Sequence, residues 1–561
     1  MKWPTKRLLV TGIVQSGLGF LPLGYFASVI NTPETELRNL TAGSYESHYG
    51  HPPVDTTLSA LWGFTVAVLN VGGIIGAIAS YFLLEISLLK QVVFIHCNLV
   101  LILAYIFHFA AVLGNSFECL IVGRILVGIN SGIASAVLGM WLSECSPNAH
   151  RGTICSMLNV SANVALLLGG IVGLPQLCGQ RHLFWLLFGW PLIPALAQML
   201  TAPFFPESPK RILLQLVHEG NKKPLKAKRN QVYSWSSRSA NDIHPSPFTI
   251  YGSEYTFSHN IASEYEESER KGLQTLIDAK IFPQHTSNQN LEKLRRCYKS
   301  FLNSTYFYYG DRSEATQIVT EHISEVMENE KVKLFSSRQL LSDSTLRFIL
   351  LLSCLVNVVT WTTGAMAVVS YTAVLIANRS GNPETAGYYV MLILVNGIVG
   401  GLMAVFLADR WGRRWLFFSG LAICTGCDVI CVIFGLNFVT YRIPELAFGV
   451  TIAALAVFQL AFAFGPASVC WFIAAELAPT KARPLISAIA QACNWTMCAV
   501  SALIYPPLDT EPHTKPYVFL FYAVPTFIIG LYLFFYLPET NNKSPEEIAQ
   551  DLKRGRRICA D

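Results

Sequence analysis

The 561-residue sequence predicts an all-α membrane protein of twelve transmembrane helices, built as two six-helix bundles joined by a cytoplasmic helical linker. Three observations lead there. The chain is 52% hydrophobic and only 14% charged, with a mean hydropathy of +0.41, so its long uncharged runs read as membrane spans. Those runs fall into six, a polar stretch, then six more. Finally, one short motif is written twice. Glu144-Cys-Ser-Pro147-Asn-Ala-His-Arg151 returns as Glu476-Leu-Ala-Pro479-Thr-Lys-Ala-Arg483, and Pro206-Glu207-Ser208 returns as Pro538-Glu539-Thr540. Both pairs share an offset of about 332 residues, which points to tandem duplication of a membrane unit.

Windows of about 20 apolar residues place the first six spans near 8–30, 57–84, 91–113, 118–142, 153–176 and 184–205. Six more follow near 346–376, 385–408, 415–436, 446–474, 485–507 and 516–537. The domain expectation is a bundle over 1–206, a linker over 207–345, a second bundle over 346–540 and a tail over 541–561. The first apolar segment runs on from Lys6 and Arg7 to Ile30, so it reads as a span and not as a cleavable signal. With the N-terminus inside, short cytoplasmic segments hold about fifteen Lys and Arg and the opposite loops about five, which makes both termini cytoplasmic.

The loop over 31–56 is then external and carries the sequon Asn39-Leu-Thr41. Asn378-Arg-Ser380 is a second external glycosylation candidate. Within the linker, 218–288 has no sustained period and reads as disordered. Lys222 to Arg229 is a basic cluster there, read as a solvated linker or as a lipid-binding or phosphorylated switch. Helical patterns return over 290–330, at Leu291–Tyr298 and Ala315–Glu328.

Fourteen cysteines show no metal-ligand spacing. Cys424-Thr-Gly-Cys427 sits inside an apolar run and reads as packing. No ATP-binding Gly-rich loop and no nucleophile–base constellation is present, so an enzyme is not expected. Nor is a metal, a cofactor or a nucleic-acid partner; the expected partners are a small solute and the bilayer.

Charge on the cytoplasmic face is organised. Asp409-Arg410-Trp-Gly412-Arg413-Arg414 joins the eighth and ninth spans, with a Gly that allows a tight turn and arginines that reach carboxylates. Together with Glu144, Arg151, Glu476 and Arg483 it forms a set of gate candidates. These charges are able to pair while the halves close on the inside; plain topology determinants are the alternative. Polar residues deep in spans are the site candidates. Asn159 lies eight residues past Arg151, about 12 Å in, and Asn494 eleven past Arg483, about 16 Å in. Both are near the midplane, as is Gln491.

In combination these stretches resemble the sugar-porter branch of the major facilitator superfamily, and within it the animal facilitative glucose transporters. The resemblance rests also on Gly24-Tyr25 with Val29–Pro33, Val71-Gly72-Gly73-Ile-Ile-Gly76, Gly123-Arg124 to Gly132, Pro206–Pro209, Gly465-Pro466, Trp471–Glu476, Arg483-Pro484 and Asn494-Trp495-Thr496. It implies the major facilitator fold, a central site between the bundles, and facilitative transport by alternating access at the plasma membrane. Trp471 and Asn494 match its substrate contacts, Asn159 stands for a fifth-helix glutamine, and Asn396 lies one residue from an eighth-helix contact.

The departures matter as much. The family's seventh-helix Gln-Gln-Leu-Ser-Gly-Ile-Asn appears here as Thr360-Trp361-Thr-Thr-Gly364-Ala-Met366, and a tenth-helix glutamate becomes Ala463. A hexose needs many paired hydroxyls, so its transport is not expected to be strong. The first-half copy of the basic loop is degraded to Glu85-Ile-Ser-Leu-Leu-Lys90. The substrate-site expectation is therefore Asn159, Thr360, Trp361, Asn396, Trp471, Gln491 and Asn494. Proton-coupled members use an acid in the first helix, and residues 8–30 contain none. That favours a uniporter; a proton-coupled symporter, with Asp428 as carrier, and a non-transporting nutrient sensor are the alternatives.

Overall fold

The computed structural model describes residues 4–174, 176–212, 288–309, 337–369, 383–435, 443–510 and 517–553. The chain divides into two units, Met1–Ser208 with Phe307–Tyr309 and Val332–Asp561, and Pro209–Tyr306 with Gly310–Lys331. Among the described residues twelve helices are long and apolar enough to cross a membrane, and all lie in the first unit.

In its first half these are α1 (Lys6–Ser28), α3 (Asp55–Ile86), α4 (Leu89–Leu113), α5 (Phe117–Cys145), α6 (Arg151–Val172) and α7 (Arg181–Phe204). Between the first two lies α2 (Glu34–Tyr49). The loop expected to be external over 31–56 thus contains a four-turn helix. Asn39 is exposed on it, and the Thr41 hydroxyl is buried and donates to the Leu37 carbonyl (2.9 Å). Helix α8 (Asn288–Tyr309) belongs mostly to the second unit and carries the first of the two helical patterns expected in the linker. The expected disordered stretch 218–288, except Asn288 at the start of α8, lies outside the described residues, as do the Ala315–Glu328 pattern and Asn378. The second half contains α9 (Ser344–Val369), α10 (Pro383–Trp411), α11 (Arg413–Gly435), α12 (Pro444–Leu477), α13 (Arg483–Thr510) and α14 (Val518–Tyr536), followed by α15 (Pro545–Lys553).

Helix starts are written in the sequence. Ser116 Oγ accepts from the Cys119 N–H at the head of α5, and the Asp343 carboxylate accepts from the Thr345 and Leu346 N–H groups at the head of α9. Two breaks matter for function. Gly364, at φ +80°, interrupts α9 after Thr363, and Gly465-Pro466 interrupts α12, since Pro466 cannot continue the hydrogen-bond ladder. Both leave irregular backbone at membrane depth, tolerated where it lines a cavity.

Small residues let helices approach closely. A Cβ on Gly72 would lie 2.3 Å from the Ile125 carbonyl oxygen, and one on Gly128 2.1 Å from that of Leu69, so α3 and α5 touch backbone to backbone. Large apolar side chains such as Ile13, Phe82, Leu200 and Phe527 face outward, as lipid-facing helices require. Cys424 and Cys427 pack in an apolar cluster of the second half, as the sequence suggested. His108 is buried between the rings of Phe26 and Phe188.

Candidate functional site: a central cavity and a double latch

Twelve crossings bring both ends of the chain to one side, and there the duplicated motifs meet. Each Pro-Glu-Ser/Thr segment works the same way in its own half. The Ser208 hydroxyl donates to Glu144 (2.7 Å) and the Thr540 hydroxyl to Glu476 (2.6 Å). Glu207 accepts from the Lys90 N–H (3.0 Å); Glu539 accepts from the N–H groups of Arg413 (2.9 Å) and Arg414 (3.1 Å). Gly412, at φ +88°, makes the turn that presents those two amides. A Cβ on it would sit 2.4 Å from the Glu539 carboxylate.

Across the halves the latch has two arms. In one, the Asp409 carboxylate accepts from the N–H groups of Gly152 (2.9 Å) and Thr153 (2.7 Å), so an acid from α10 caps α6. Arg413 holds that acid at 3.0 Å and reaches Glu476 at 3.3 Å. The other arm is a single pair, Arg483 with Glu144 at 3.1 Å. All five of these charged side chains are buried.

The expected gate set is thus largely brought together, with three adjustments. Arg151 takes Asn148 as its hydrogen-bond partner and not a carboxylate, because Glu476 is already occupied by Arg413 and Thr540. Arg410 is exposed and outside the latch. Arg414 bonds the Phe534 carbonyl of its own half and lies over the Phe534 ring.

Above the latch, Asn159 Nδ2 donates across the halves to the Ala463 carbonyl (2.7 Å) and Ser468 Oγ (3.0 Å). Trp495 Nε1 donates to Ser135 Oγ (3.1 Å). Beyond lies a central cavity. Asn159, Thr360, Trp361, Trp471 and Asn494 line it, as expected from sequence.

Two expected residues do not. Asn396 turns its amide to the Leu392 carbonyl of its own helix (2.9 Å). One residue on a helix is a 100° rotation, and Gly397 is the one facing the site: a Cβ there would lie 2.4 Å from Asn163 Oδ1. Gln491 is buried beneath the cavity wall, donating to the Cys470 carbonyl (3.2 Å). Residues the sequence reading missed are Asn70, Arg124, Asn163 and Gln459, all lining the cavity. Asn163 follows Asn159 by one turn, and Arg124 is a charge several residues inside a span; both were visible signals.

Most of the expected polar contacts are already spoken for. Asn494 accepts from Trp361 Nε1 and donates to Asn357 (2.9 Å), and Thr360 donates to the Val356 carbonyl (2.8 Å). Asn159 accepts from Asn163 Nδ2 (3.1 Å). By contrast, both amide atoms of Asn70, Arg124 Nη1, Gln459 Oε1 and Trp471 Nε1 have no hydrogen-bond partner. No carboxylate among the described residues lines the cavity. Asp428 is buried on α11, away from the lining.

A duplicated six-helix unit, closed by charge pairs at one end and enclosing a central cavity, defines a membrane transporter of the major facilitator type. The comparison with known families is direct: residues 11–244 and 288–552 match the sugar (and other) transporter model, and the chain belongs to that family. It is 27% identical over 543 residues to the facilitated glucose transporter member 3 of Mus musculus, covering 97% of this chain and 92% of that one. It is 25% identical over 554 residues to member 9 of Homo sapiens, covering 98% and 85%. In fold it is similar to a proton:xylose symporter of the same superfamily bound to 6-bromo-6-deoxy-D-glucose. That match has a TM-score of 0.71 and 17% identity, over 98% of this chain and 99% of that one. The inward open xylose transporter from E. coli matches with a TM-score of 0.58, again at 17% identity, over 97% and 99%.

Proposed function

We propose that the protein is a facilitative uniporter that carries a small solute by alternating access, with plasma-membrane residence and both termini cytoplasmic. The observation that supports this best is the pairing of a midplane cavity with a latch whose two arms join the halves at one end only through side chains and helix caps. Such contacts are able to part and reform while each half stays rigid. The relatives named as facilitated glucose transporters support the carrier reading. The cavity lining, free of carboxylates among its described residues, supports a cycle without proton coupling.

D-Glucose is a poor substrate on this reading. Trp361 fills the place of an amide and consumes Asn494, Met366 and Ala463 remove further partners, and Asn159 is bound to the opposite half. Each lost hydrogen bond is worth roughly 0.5–1.5 kcal/mol. Three or four lost together weaken a hexose by about two to four orders of magnitude.

The test is uptake into proteoliposomes containing the full chain. Solute entry is expected to be saturable and unchanged by a protonophore. Stimulation by an inward proton gradient refutes uniport and promotes Asp428 to carrier; ligand binding with no net flux for any solute would instead identify a sensor. Robust stereospecific D-glucose uptake by the wild type refutes the substrate reading, and the triple variant Trp361→Gln, Met366→Asn, Ala463→Glu is expected to raise it.

A further inference from the structure

Helix α12 is interrupted at Gly465-Pro466, and a helix end leaves its last carbonyls without ladder donors. One of these is answered from the other half. The Ala463 carbonyl accepts from Asn159 Nδ2 of α6 (2.7 Å) and from Ser468 Oγ (2.7 Å), and the same Asn159 nitrogen donates to Ser468 Oγ (3.0 Å). A backbone carbonyl only accepts, so the Asn159 amide has one possible orientation. Its Nδ2 faces α12, and its Oδ1 accepts from Asn163 Nδ2 (3.1 Å). Gln459 Nε2 of α12 donates back to Asn163 Oδ1 (3.3 Å). Both N–H groups of Asn159 are thereby committed to α12, and neither is left for a solute.

The segment beyond the break carries Trp471, which lies three residues past Ser468 and lines the cavity. Here too the first half supplies contacts. The Trp471 ring stands edge-on to Phe20 of α1, with centroids 5.2 Å apart. Helix α5 passes so close that a Cβ on Gly139 would lie 2.5 Å from the Trp471 carbonyl oxygen. Its own half adds Gln491, which donates to the Cys470 carbonyl (3.2 Å).

We infer that Asn159 is a positioning residue: it caps the break of α12 from across the halves and so holds Trp471 in the cavity wall. This rests on the carrier reading, in which the halves part at the latch end. Asp409 caps the first turn of α6 at Gly152 and Thr153, and Asn159 lies about two turns further along the same helix. Parting the latch therefore draws the cap away from Ala463. The aromatic wall of the second half is complete only while the first half is closed against it.

The test is hydrogen exchange read by mass spectrometry on the full chain in lipid nanodiscs. Asn159→Leu is expected to speed exchange over residues 464–472 about three- to tenfold, while residues 446–458, earlier in α12, change by less than about twofold. Asn159→Asp keeps the size and the acceptor for Asn163 but brings no N–H to Ala463, so it is expected to match Asn159→Leu. Arg413→Leu leaves Asn159 in place and is expected to speed exchange over the same residues by opening the latch. Should Asn159→Leu not fold, Ser468→Ala and Gly139→Ala decide, each expected to speed exchange over 464–472 at least about twofold. Exchange there unmoved by Asn159→Leu, or sped equally along all of α12, overturns the inference. So does full protection of 464–472 in an Arg413→Leu protein whose halves have parted. Absence of flux for every solute, with these exchange responses intact, removes the carrier reading and keeps Asn159 as the cap.

Discussion

The two halves began as copies and now divide the work differently. At the latch, the second half carries the denser arm. Asp409, four residues before Arg413, caps α6 of the first half, and Arg413 ties Asp409 to Glu476. Aligned on the acids, the first half has Glu85 and, four residues on, Leu89. Glu85 is exposed and Leu89 is fully buried where the arginine would stand. The mirror site has also lost a donor, since the counterpart of Gly152 is Pro484, which has no N–H. In the cavity no such bias is seen: unpartnered polar atoms come from both halves, on Asn70 and Arg124 in the first and on Gln459 and Trp471 in the second. Duplication supplied two latch arms, and divergence left the second half with the stronger one.

Removing Arg413 is the change expected to do most damage. Arg413→Leu removes the ion-pair partner of the buried Asp409 and Glu476, and breaking a buried ion pair costs about 3–5 kcal/mol. Uptake is expected to fall by about tenfold or more, with equilibrium solute binding much less affected. An unchanged uptake rate in a folded variant would mean the denser arm is ornamental.

Arg483→Ala comes next. It opens the single-pair arm, but Glu144 keeps the Ser208 hydroxyl, so a loss of roughly three- to fivefold in uptake is expected. Solute affinity measured by calorimetry should stay within about twofold of wild type, because the latch lies about 12–16 Å from the midplane residues. Loss of binding in folded protein would remove Arg483 from the gate.

Arg151→Ala should be milder than Arg483→Ala, although the sequence makes the two arginines equivalent. Asn148 is its hydrogen-bond partner, and no acid is orphaned by its removal. An effect equal to that of Arg483→Ala in the same uptake assay would show that Arg151 engages Glu476 during the cycle. The smallest change is expected from Leu89→Ala, which trims apolar packing at the degraded copy and breaks no charge contact; a large transport defect there would restore the first-half loop to the latch.

Much of this was legible in the sequence because it depends on local pattern. The apolar windows, the Glu-x₂-Pro-x₃-Arg repeat and the Gly412 turn each specify a helix, an offset or a backbone conformation without reference to distant residues. What was not legible depends on which partner wins. Nothing in the spacing says that Glu476 chooses Arg413 over Arg151, since both reach it in principle. Gln491 is expected at the midplane by counting rise but faces away from the cavity, because facing requires the helix phase to within a fraction of a turn; Asn396, expected from the resemblance one residue out of register, turns away for the same reason. Arg124 sat in a motif already used for recognition and was not weighed as a buried charge. Trp361 is expected among the substrate contacts, and its indole N–H claims the very asparagine expected to hold the solute.

The most direct test of the unequal latch is a distance measurement between spin labels at Ile86→Cys and Arg410→Cys. These sites are exposed, at the latch end of α3 and α10, one on each half. Wild type is expected to show a dominant short-distance population, and Arg413→Leu to shift it strongly toward a longer one, while Leu89→Ala leaves it in place. A distribution unmoved by Arg413→Leu, or moved equally by both substitutions, would contradict the claim that closure is carried by the second half's arm.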